Sequence, residues 1–537
     1  MLPIPTTRAS AAFVGCLGMW LVGLFASSWA ATTLGSALAL CLVTAFSATV
    51  PLGRRVRAQR LEFAWWLSQR ETMVSGAVVP QVPFQVRCYV RHRGAHQVEL
   101  TRVSPVLARD VKLLDEEPQA ISVVPRSRNE FAFTLTAQAA GRVVLHGLAV
   151  SLRGPLGLFD VPLYFPNALA IKVLPRTVAV RARTLGVMTG LPLDRSGRHR
   201  MRRRGGGTEL HELREFLPGD PFKSIAWKAS AKQGRLLVRE VDQEVQQTLL
   251  LVLDVCGSMR GGRVGERKLD FGLELCVAHA RAWLERGDRV GLITVDGRVL
   301  ANVQAGDGGA HLIRIYDALL AATEVVDADL TTLDDHEVAA LVARYVRQQD
   351  GVDFTQGRRG TFQTAELAQY LRTLSPAKAG DMPLAPTQAG AVFRRFCRER
   401  GIELPHVSTP PGGDKAPCLA SALQLAAGNT RVPRAIVLLT DLDGVVEYQP
   451  LLAAARLLMR RGHALHVLVP HAEALAGPAS SALETDLRAI YGRSEQRRLR
   501  EATQQLGPLG VGVSLVAPEK LALFAVRSKP FGQKVVA

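Results

Sequence analysis

From Ala11 to Leu52 the chain carries no charged side chain. About 20 apolar residues span a bilayer core, so this run predicts two helices rather than one. Ser27-Ser28 interrupts it near the middle. The expected spans are about 11–26 and 31–50, joined by a very tight turn. Arg8 precedes the first span, and Arg54, Arg55, Arg57 and Arg60 follow the second. The positive-inside rule then keeps both flanks, and everything after residue 60, in the cytoplasm. A signal peptide cleaved near Ser28–Ala31 is the rival reading, but a second apolar stretch follows at once. Cys16 and Cys41, inside the spans, read as small apolar fillers.

Beyond the hairpin the period of the pattern changes twice. Residues 61–178 alternate with period two, as in Phe84-Gln85-Val86-Arg87-Cys88-Tyr89-Val90, and carry the β-rich runs Phe131–Leu135 and Val143–Leu145. Short strands bounded by turn residues predict a β-sandwich of immunoglobulin-like size, with Cys88 in its core. From residue 247 the rhythm is α/β. Leu249-Leu250-Leu251-Val252-Leu253 is a continuous apolar run, as suits a strand buried on both faces. Val290–Val295, Ala435–Leu439, Leu465–Val469 and Val511–Val516 repeat it. Helical stretches such as Leu269–Leu284 and Leu451–Arg461 lie between, which predicts a mostly parallel, doubly wound sheet over 247–537. Between about 325 and 411 that pattern breaks into amphipathic helices, among them Glu337–Arg347 and Ala391–Glu399, with Gly/Pro-rich joints. This reads as a helical insertion in the α/β domain.

Charge adds a linker. The 537 residues hold 66 Lys+Arg against 48 Asp+Glu, a net charge of +18. That excess favours anionic partners. It concentrates at Arg181, Arg183, Arg195, Arg198, Arg200, Arg202, Arg203 and Arg204, followed by Gly205-Gly206-Gly207. Residues 179–246 are therefore expected to begin as a flexible cationic linker, solvated near an anionic membrane or touching lipid headgroups. No aromatic side chain is interleaved with the arginines, which argues against nucleic-acid binding by base stacking. The seven cysteines include no C-x-x-C pair, so neither a disulfide scaffold nor a Cys-based zinc site is indicated.

Two segments carry candidate chemistry. Asp254-Val255-Cys256-Gly257-Ser258-Met259 follows the first α/β strand directly, at the strand end where doubly wound sheets bind ligands. Asp441 ends another apolar strand. Strand-end carboxylates with a hydroxyl could give oxygen ligands to Mg²⁺. Upstream lies Arg214-Glu215-Phe216-Leu217-Pro218-Gly219-Asp220-Pro221-Phe222-Lys223-Ser224-Ile225-Ala226-Trp227. Pro218-Gly219 suits a type II turn. Asp220 is placed to cap a helix with Pro221 at its first position. An alternating strand, Leu236–Val241, follows Gln233-Gly234.

The first segment resembles the metal-ion-dependent adhesion site of the von Willebrand A family, which reads Asp-x-Ser-x-Ser with a Thr and an Asp on two later loops. Asp254, Ser258 and Asp441 match, and the resemblance implies a Mg²⁺ site on these three residues. Cys256 replaces one Ser, and a thiol is a poor partner for a hard cation. Gly412-Gly413 frames the Thr loop, but Asp414 follows, and Pro417 and Cys418 stand where Thr is expected, with Thr409 as a weak substitute. The alternative is a vestigial site whose Asp254 and Ser258 only brace the loop.

The second segment resembles the signature of domain-of-unknown-function family 58 at Arg214, Phe216, Pro218, Gly219, Asp220, Ile225, Trp227, Ser230 and Ala231. Gly154-Pro155-Leu156-Gly157-Leu158-Phe159 is similar to a second family motif, and the layout of membrane hairpin, β-region and α/β domain agrees. The resemblance implies a protein of the bacterial inner membrane that acts with a MoxR-type AAA+ ATPase in assembling or activating protein complexes. The chain has no G-x-x-x-x-G-K-[ST] sequence of its own. Arg214, Asp220, Lys223 and Trp227 are the candidate partner-binding residues, with a fold-locking turn as the plain alternative. The expected function is that of a membrane-anchored scaffold with no catalytic activity. An enzyme using Cys256 as thiolate, with His279, His463 or His466 as base, is the alternative, as is lipid or nucleic-acid binding through the arginines at 181–204.

Overall fold

The computed structural model describes the chain except residues 1–2, 58–60, 69–77, 95–96, 109, 116–118, 125, 177–198, 219, 221, 357–360, 375–381, 408–412, 429–431, 477–478, 480 and 518–537. The chain forms two compact units. One comprises residues 1–174 and 325–405, the other residues 175–324 and 406–537.

The first unit begins with helices α1 (Thr7–Phe25) and α2 (Trp29–Arg57). Both are long and apolar enough to cross a membrane. The Ala26-Ser27-Ser28 turn between them is tight, with Ser27 at φ 49°. Ala9, Cys16 and Gly23 recur every seven residues on α1 and are its buried positions. Small residues there let the helices approach closely, and the Cys16 thiol donates to the Gly35 carbonyl at 3.2 Å. The far end of α2 enters the β-region. Val56 is buried in its core, Leu52 packs against it, and Phe46 meets Phe159 edge-on at 5.5 Å.

The strands of the β-region pair antiparallel, with one isolated parallel bridge between Val78 and Val173. Five strands run in the order Ile4–Pro5, Phe159–Val173, Gly141–Arg153, Val98–Val106, Gln119–Val123. Four more run in the order Leu61–Leu67, Pro83–His92, Arg128–Ala137, Val111–Leu113. Both sheets feed one apolar core. The alternation read from the sequence sets the inward face: Phe84, Val86, Cys88 and Val90 are all buried.

The helical insertion departs from expectation. Residues 325–405 interrupt the α/β segment in sequence, yet they cluster with the β-region. Helices Asp335–Gln349, Thr364–Leu374 and Gln388–Arg400 share a core of Val338, Val342, Val346, Leu367, Phe393 and Phe396. The Tyr345 hydroxyl is hydrogen-bonded to His146 Nδ1 at 2.8 Å, and Gly401 lies against Val144. Arg394, 1% exposed, is the polar centre of the insertion. It pairs with Asp335 at 3.3 Å and donates to Thr331 Oγ1 and to the Val326 and Leu333 carbonyls. The amphipathic pattern fixes these helices but not their docking partner, because an apolar helix face fits any apolar surface.

The second unit holds a six-stranded sheet: β1 (Thr248–Asp254), β2 (Arg289–Val295), β3 (Val299–Gly306), β4 (Ala435–Leu439), β5 (Ala464–Pro470) and β6 (Gly512–Val516). The order is β3-β2-β1-β4-β5-β6, parallel except for β3 at the edge. Leu250 and Val252 share a core with helices Ala416–Ala427 and Gln449–Arg460. On the opposite face Leu253 touches Gly272 of helix Lys268–Leu284. The sheet order changes direction between β1 and β4, so their carboxyl ends form the crevice where such sheets hold ligands.

Between the units' cores in sequence, His199–Glu215 and Leu237–Val245 pair as an antiparallel ribbon. The expected flexible linker is thus a strand from residue 199 onward. Arg181, Arg183, Arg195 and Arg198 lie outside the described residues, as do the side chains of Arg200, Arg202, Arg203 and Arg204.

Removing one partner of a buried ion pair costs about 3–5 kcal/mol. Arg394→Ala is therefore expected to destabilise the insertion by about that amount. Hydrogen exchange along Gln388–Arg400 checks this, and unchanged protection there would contradict it.

Candidate functional site

Three loops meet at the carboxyl ends of β1 and β4. Asp254 is the last residue of β1, and its Oδ1 accepts the Cys256 amide at 3.0 Å, which tightens the turn into the short helix Gly257–Arg260. Asp441 follows β4, and its Oδ1 accepts the Asp443 amide at 3.0 Å and the Ser258 hydroxyl at 3.0 Å. Leu442, the next residue, has φ 56°, a strained conformation for a residue other than glycine. The three residues predicted as metal ligands, Asp254, Ser258 and Asp441, are therefore together.

What lies among them is the side chain of Lys415. Its ammonium is 2.9 Å from Asp254 Oδ2, 2.5 Å from Asp441 Oδ1 and 3.2 Å from Ser258 Oγ. A lysine ammonium has three donors, and here each has an acceptor. Lys415 is 1% exposed, and both carboxylates are buried. The third loop holds it in place. The Lys415 amide donates to the Gly444 carbonyl at 3.0 Å. Asp414 Oδ1 accepts the amides of Ala416 and Val446, each at 3.0 Å, and so ties this loop to the one after β4.

A second ammonium completes the charge balance. Lys268 Nζ lies 2.8 Å from Asp441 Oδ2 and 2.6 Å from the Tyr491 hydroxyl. Thr440 Oγ1 donates to Asp254 Oδ2 at 2.6 Å. Two carboxylates thus face two ammoniums in one buried network. Burial by itself would push Asp441 upward, but Lys415 and Lys268 outweigh it and hold the carboxyl down at about 2. Burial likewise opposes the charge on Lys415, and Asp254 and Asp441 overcome it, so its ammonium is held well above the usual lysine range.

These residues do not fit a bound Mg²⁺. The ion needs oxygens at 2.0–2.1 Å in near-octahedral array, and the point where the three oxygens converge belongs to Lys415 Nζ. Among the described residues no group of three or more His, Cys, Asp or Glu side chains could hold a metal ion. Thr409 and Gly412 lie outside the described residues. Cys418 is on the helix Ala416–Ala427, its thiol donating to the Gly297 carbonyl at 3.0 Å. Sequence reasoning quoted Asp414, Pro417 and Cys418 and passed over Lys415. Its position, directly after Gly413-Asp414 in the loop framed for Thr, was the available signal. Lys268 had none, because it opens an ordinary amphipathic helix.

Cys256 is buried, and burial followed by Asp254 and Asp296 pushes its thiol far upward. That environment opposes a thiolate. The three candidate bases are hydrogen-bonded elsewhere or packed in apolar surroundings. His279 Nδ1 contacts the Leu275 carbonyl at 2.8 Å, His463 Nδ1 accepts the Arg434 amide at 3.1 Å, and His466 packs against Gly512.

The upstream segment divides into buried and exposed residues. Asp220 Oδ2 accepts the Leu217 amide at 2.8 Å and closes the turn, while Pro221, its expected first helical residue, lies outside the described residues. The helix that follows, Trp227–Gln233, is capped at Ala226. Ile225 bridges to Val238, and Ser230 Oγ accepts the Leu237 amide at 2.8 Å, so these signature residues lock the turn to its strand. Leu217, Phe222 and Trp227 point outward at 56%, 74% and 63% exposure, with Lys223 also exposed. The Arg214 side chain and residues Gly219 and Pro221, hence the turn type, lie outside the described residues.

Burial, the largest cause in each case, pushes His279, His463 and His466 below the usual histidine value. The unfolded chain then binds more protons than the folded one below about pH 6.5, so stability falls with pH through that value. The urea midpoint of the second unit is expected to drop between pH 7 and pH 5, and His279→Gln to flatten that drop. A midpoint that rises on acidification would contradict the assignment.

No curated protein matches the chain. Solved structures with local likeness include a FixG-related protein from Vibrio parahaemolyticus at 13% identity, covering 22% of this chain and 98% of that one, with a TM-score of 0.15. The SpRpn10 VWA domain is 12% identical, with 55% and 100% covered and a TM-score of 0.18. Native alpha-2-macroglobulin from Escherichia coli is 10% identical, with 80% and 54% covered and a TM-score of 0.18. The family model described as "Protein of unknown function DUF58" matches residues 212–349, from the end of the ribbon strand through β1, β2 and β3, and over that segment the chain is similar to that family.

Proposed function

We propose that the chain is a membrane-anchored interaction protein without catalysis of its own, working with a MoxR-type AAA+ ATPase in the assembly or activation of protein complexes. On this reading α1 and α2 are a two-pass anchor in the bacterial inner membrane, with both soluble units on the cytoplasmic side. The strand Ile4–Pro5 before α1 and the end of α2 both reach the strand Phe159–Val173, as a hairpin anchor requires. The antiparallel sheets are read as a β-sandwich and the second unit as a doubly wound, von Willebrand A-like domain. The 3-2-1-4-5-6 strand order supports the latter.

One observation carries the interaction role. The DUF58 segment uses Ile225 and Ser230 to lock its turn to a strand and leaves Leu217, Phe222 and Trp227 in solvent. Tryptophan is among the side chains that dominate binding energy at protein interfaces, and phenylalanine is enriched there. Exposing that much apolar surface is unfavourable for a free monomer, and covering it with a partner removes the cost.

Trp227→Ala is expected to weaken capture of the ATPase from detergent-solubilised bacterial membranes at least about 30-fold, the effect of a hot-spot truncation of about 2 kcal/mol. Because Trp227 is exposed, folding should not change. A photo-crosslinker at position 227 identifies the captured protein. Crosslinks to lipid alone, or unaltered ATPase capture by Trp227→Ala, would contradict the proposal.

A further inference from the structure

We propose that Lys415 is a built-in cation that permanently takes the place of the divalent metal at the β1–β4 crevice, making this rim independent of metal. The argument rests on geometry and charge. The three oxygens that a metal would share, from Asp254, Asp441 and Ser258, are all spent on one ammonium at hydrogen-bond distance. Asp254 and Asp441 are already balanced by Lys415 and Lys268. A divalent ion entering beside the lysines would leave two excess positive charges in a buried site, where there is little solvent to screen them. To enter at all it would have to expel Lys415, whose stem fills the interior and whose loop is tied down through Asp414.

The substitution also changes what the rim can do. A metal held by a few protein oxygens keeps open positions, through which a carboxylate of a partner could bind. The ammonium of Lys415 has used its three donors inward and keeps none for a ligand. Partner recognition at this domain therefore runs through exposed side chains and not through a metal bridge. The loops after β1 and β4 and the loop carrying Lys415 are fixed in one arrangement, whatever the metal concentration.

The test uses the full chain in detergent micelles, with Mn²⁺ as the probe, read by electron paramagnetic resonance and by melting temperature. Wild type is expected to hold no Mn²⁺ that Asp254→Asn removes, and to melt at the same temperature with or without it. Lys415→Ala uncovers two carboxylates with one ammonium left. It should gain a bound Mn²⁺ and a rise in melting temperature of about 2 °C or more with the ion, because a ligand of the folded state stabilises it. Adding Asp254→Asn should abolish both gains. Wild type that binds Mn²⁺ through Asp254, or Lys415→Ala that ignores Mn²⁺, would overturn the proposal. If Lys415→Ala does not fold, the charge-balanced Lys415→Met/Asp254→Asn variant decides. It keeps the Asp441–Lys268 pair and should fold, whereas a double variant that also fails to fold overturns the assignment.

Discussion

The second unit is organised around one buried charge cluster. Asp254 ends β1 and Asp441 follows β4, so two carboxylates are brought to the same crevice by the parallel sheet itself. Left alone they would repel each other, and burying both would be strongly unfavourable. Lys415, reaching in from the head of the helix Ala416–Ala427, turns that repulsion into a cross-link between three loops. Lys268 extends it to Tyr491 on the long helix Ala482–Leu506, and Arg498 of that helix pairs with Asp443 at 2.9 Å. Elements far apart in sequence thus share one polar centre. Such a centre adds less to stability than to uniqueness, since each partner is costly to leave unpaired.

The two units solve the same problem of a long apolar chain differently. In the first, antiparallel sheets and the end of α2 close over an apolar core, and the inserted helices add their own core around Arg394. In the second, apolar strands sit between helices on both faces, and the Asp254–Asp441–Lys415 cluster lies at the strand ends. In the DUF58 segment Phe222 and Trp227 are exposed and belong to neither core.

Much of this was legible in the sequence because the pattern is local. Ala435–Leu439 is a strand with the predicted bounds, and the apolar run 249–253 is the heart of β1. The uncharged run from Ala11 to Leu52 became two helices, broken at Ser27-Ser28. The convergence of Asp254, Ser258 and Asp441 followed from their place at strand ends. The edge strand Val299–Gly306 was missed, since its half-exposed residues give neither a buried run nor clean alternation. The docking of the insertion was misplaced, because period gives a face and not a partner. Lys415 was overlooked for a different reason: a lysine in a loop is normally solvated, and only three-dimensional convergence reveals that its ammonium is enclosed.

The most direct measurement of that enclosure is a double-mutant cycle in the full chain between Lys415→Met and Asp254→Asn, followed by urea unfolding. The account predicts that each single change is severe and that the two together recover part of the loss, a coupling of about 2–3 kcal/mol. Additive effects, with no coupling between the two positions, would mean that the ammonium does not sit between the carboxylates and would contradict the account.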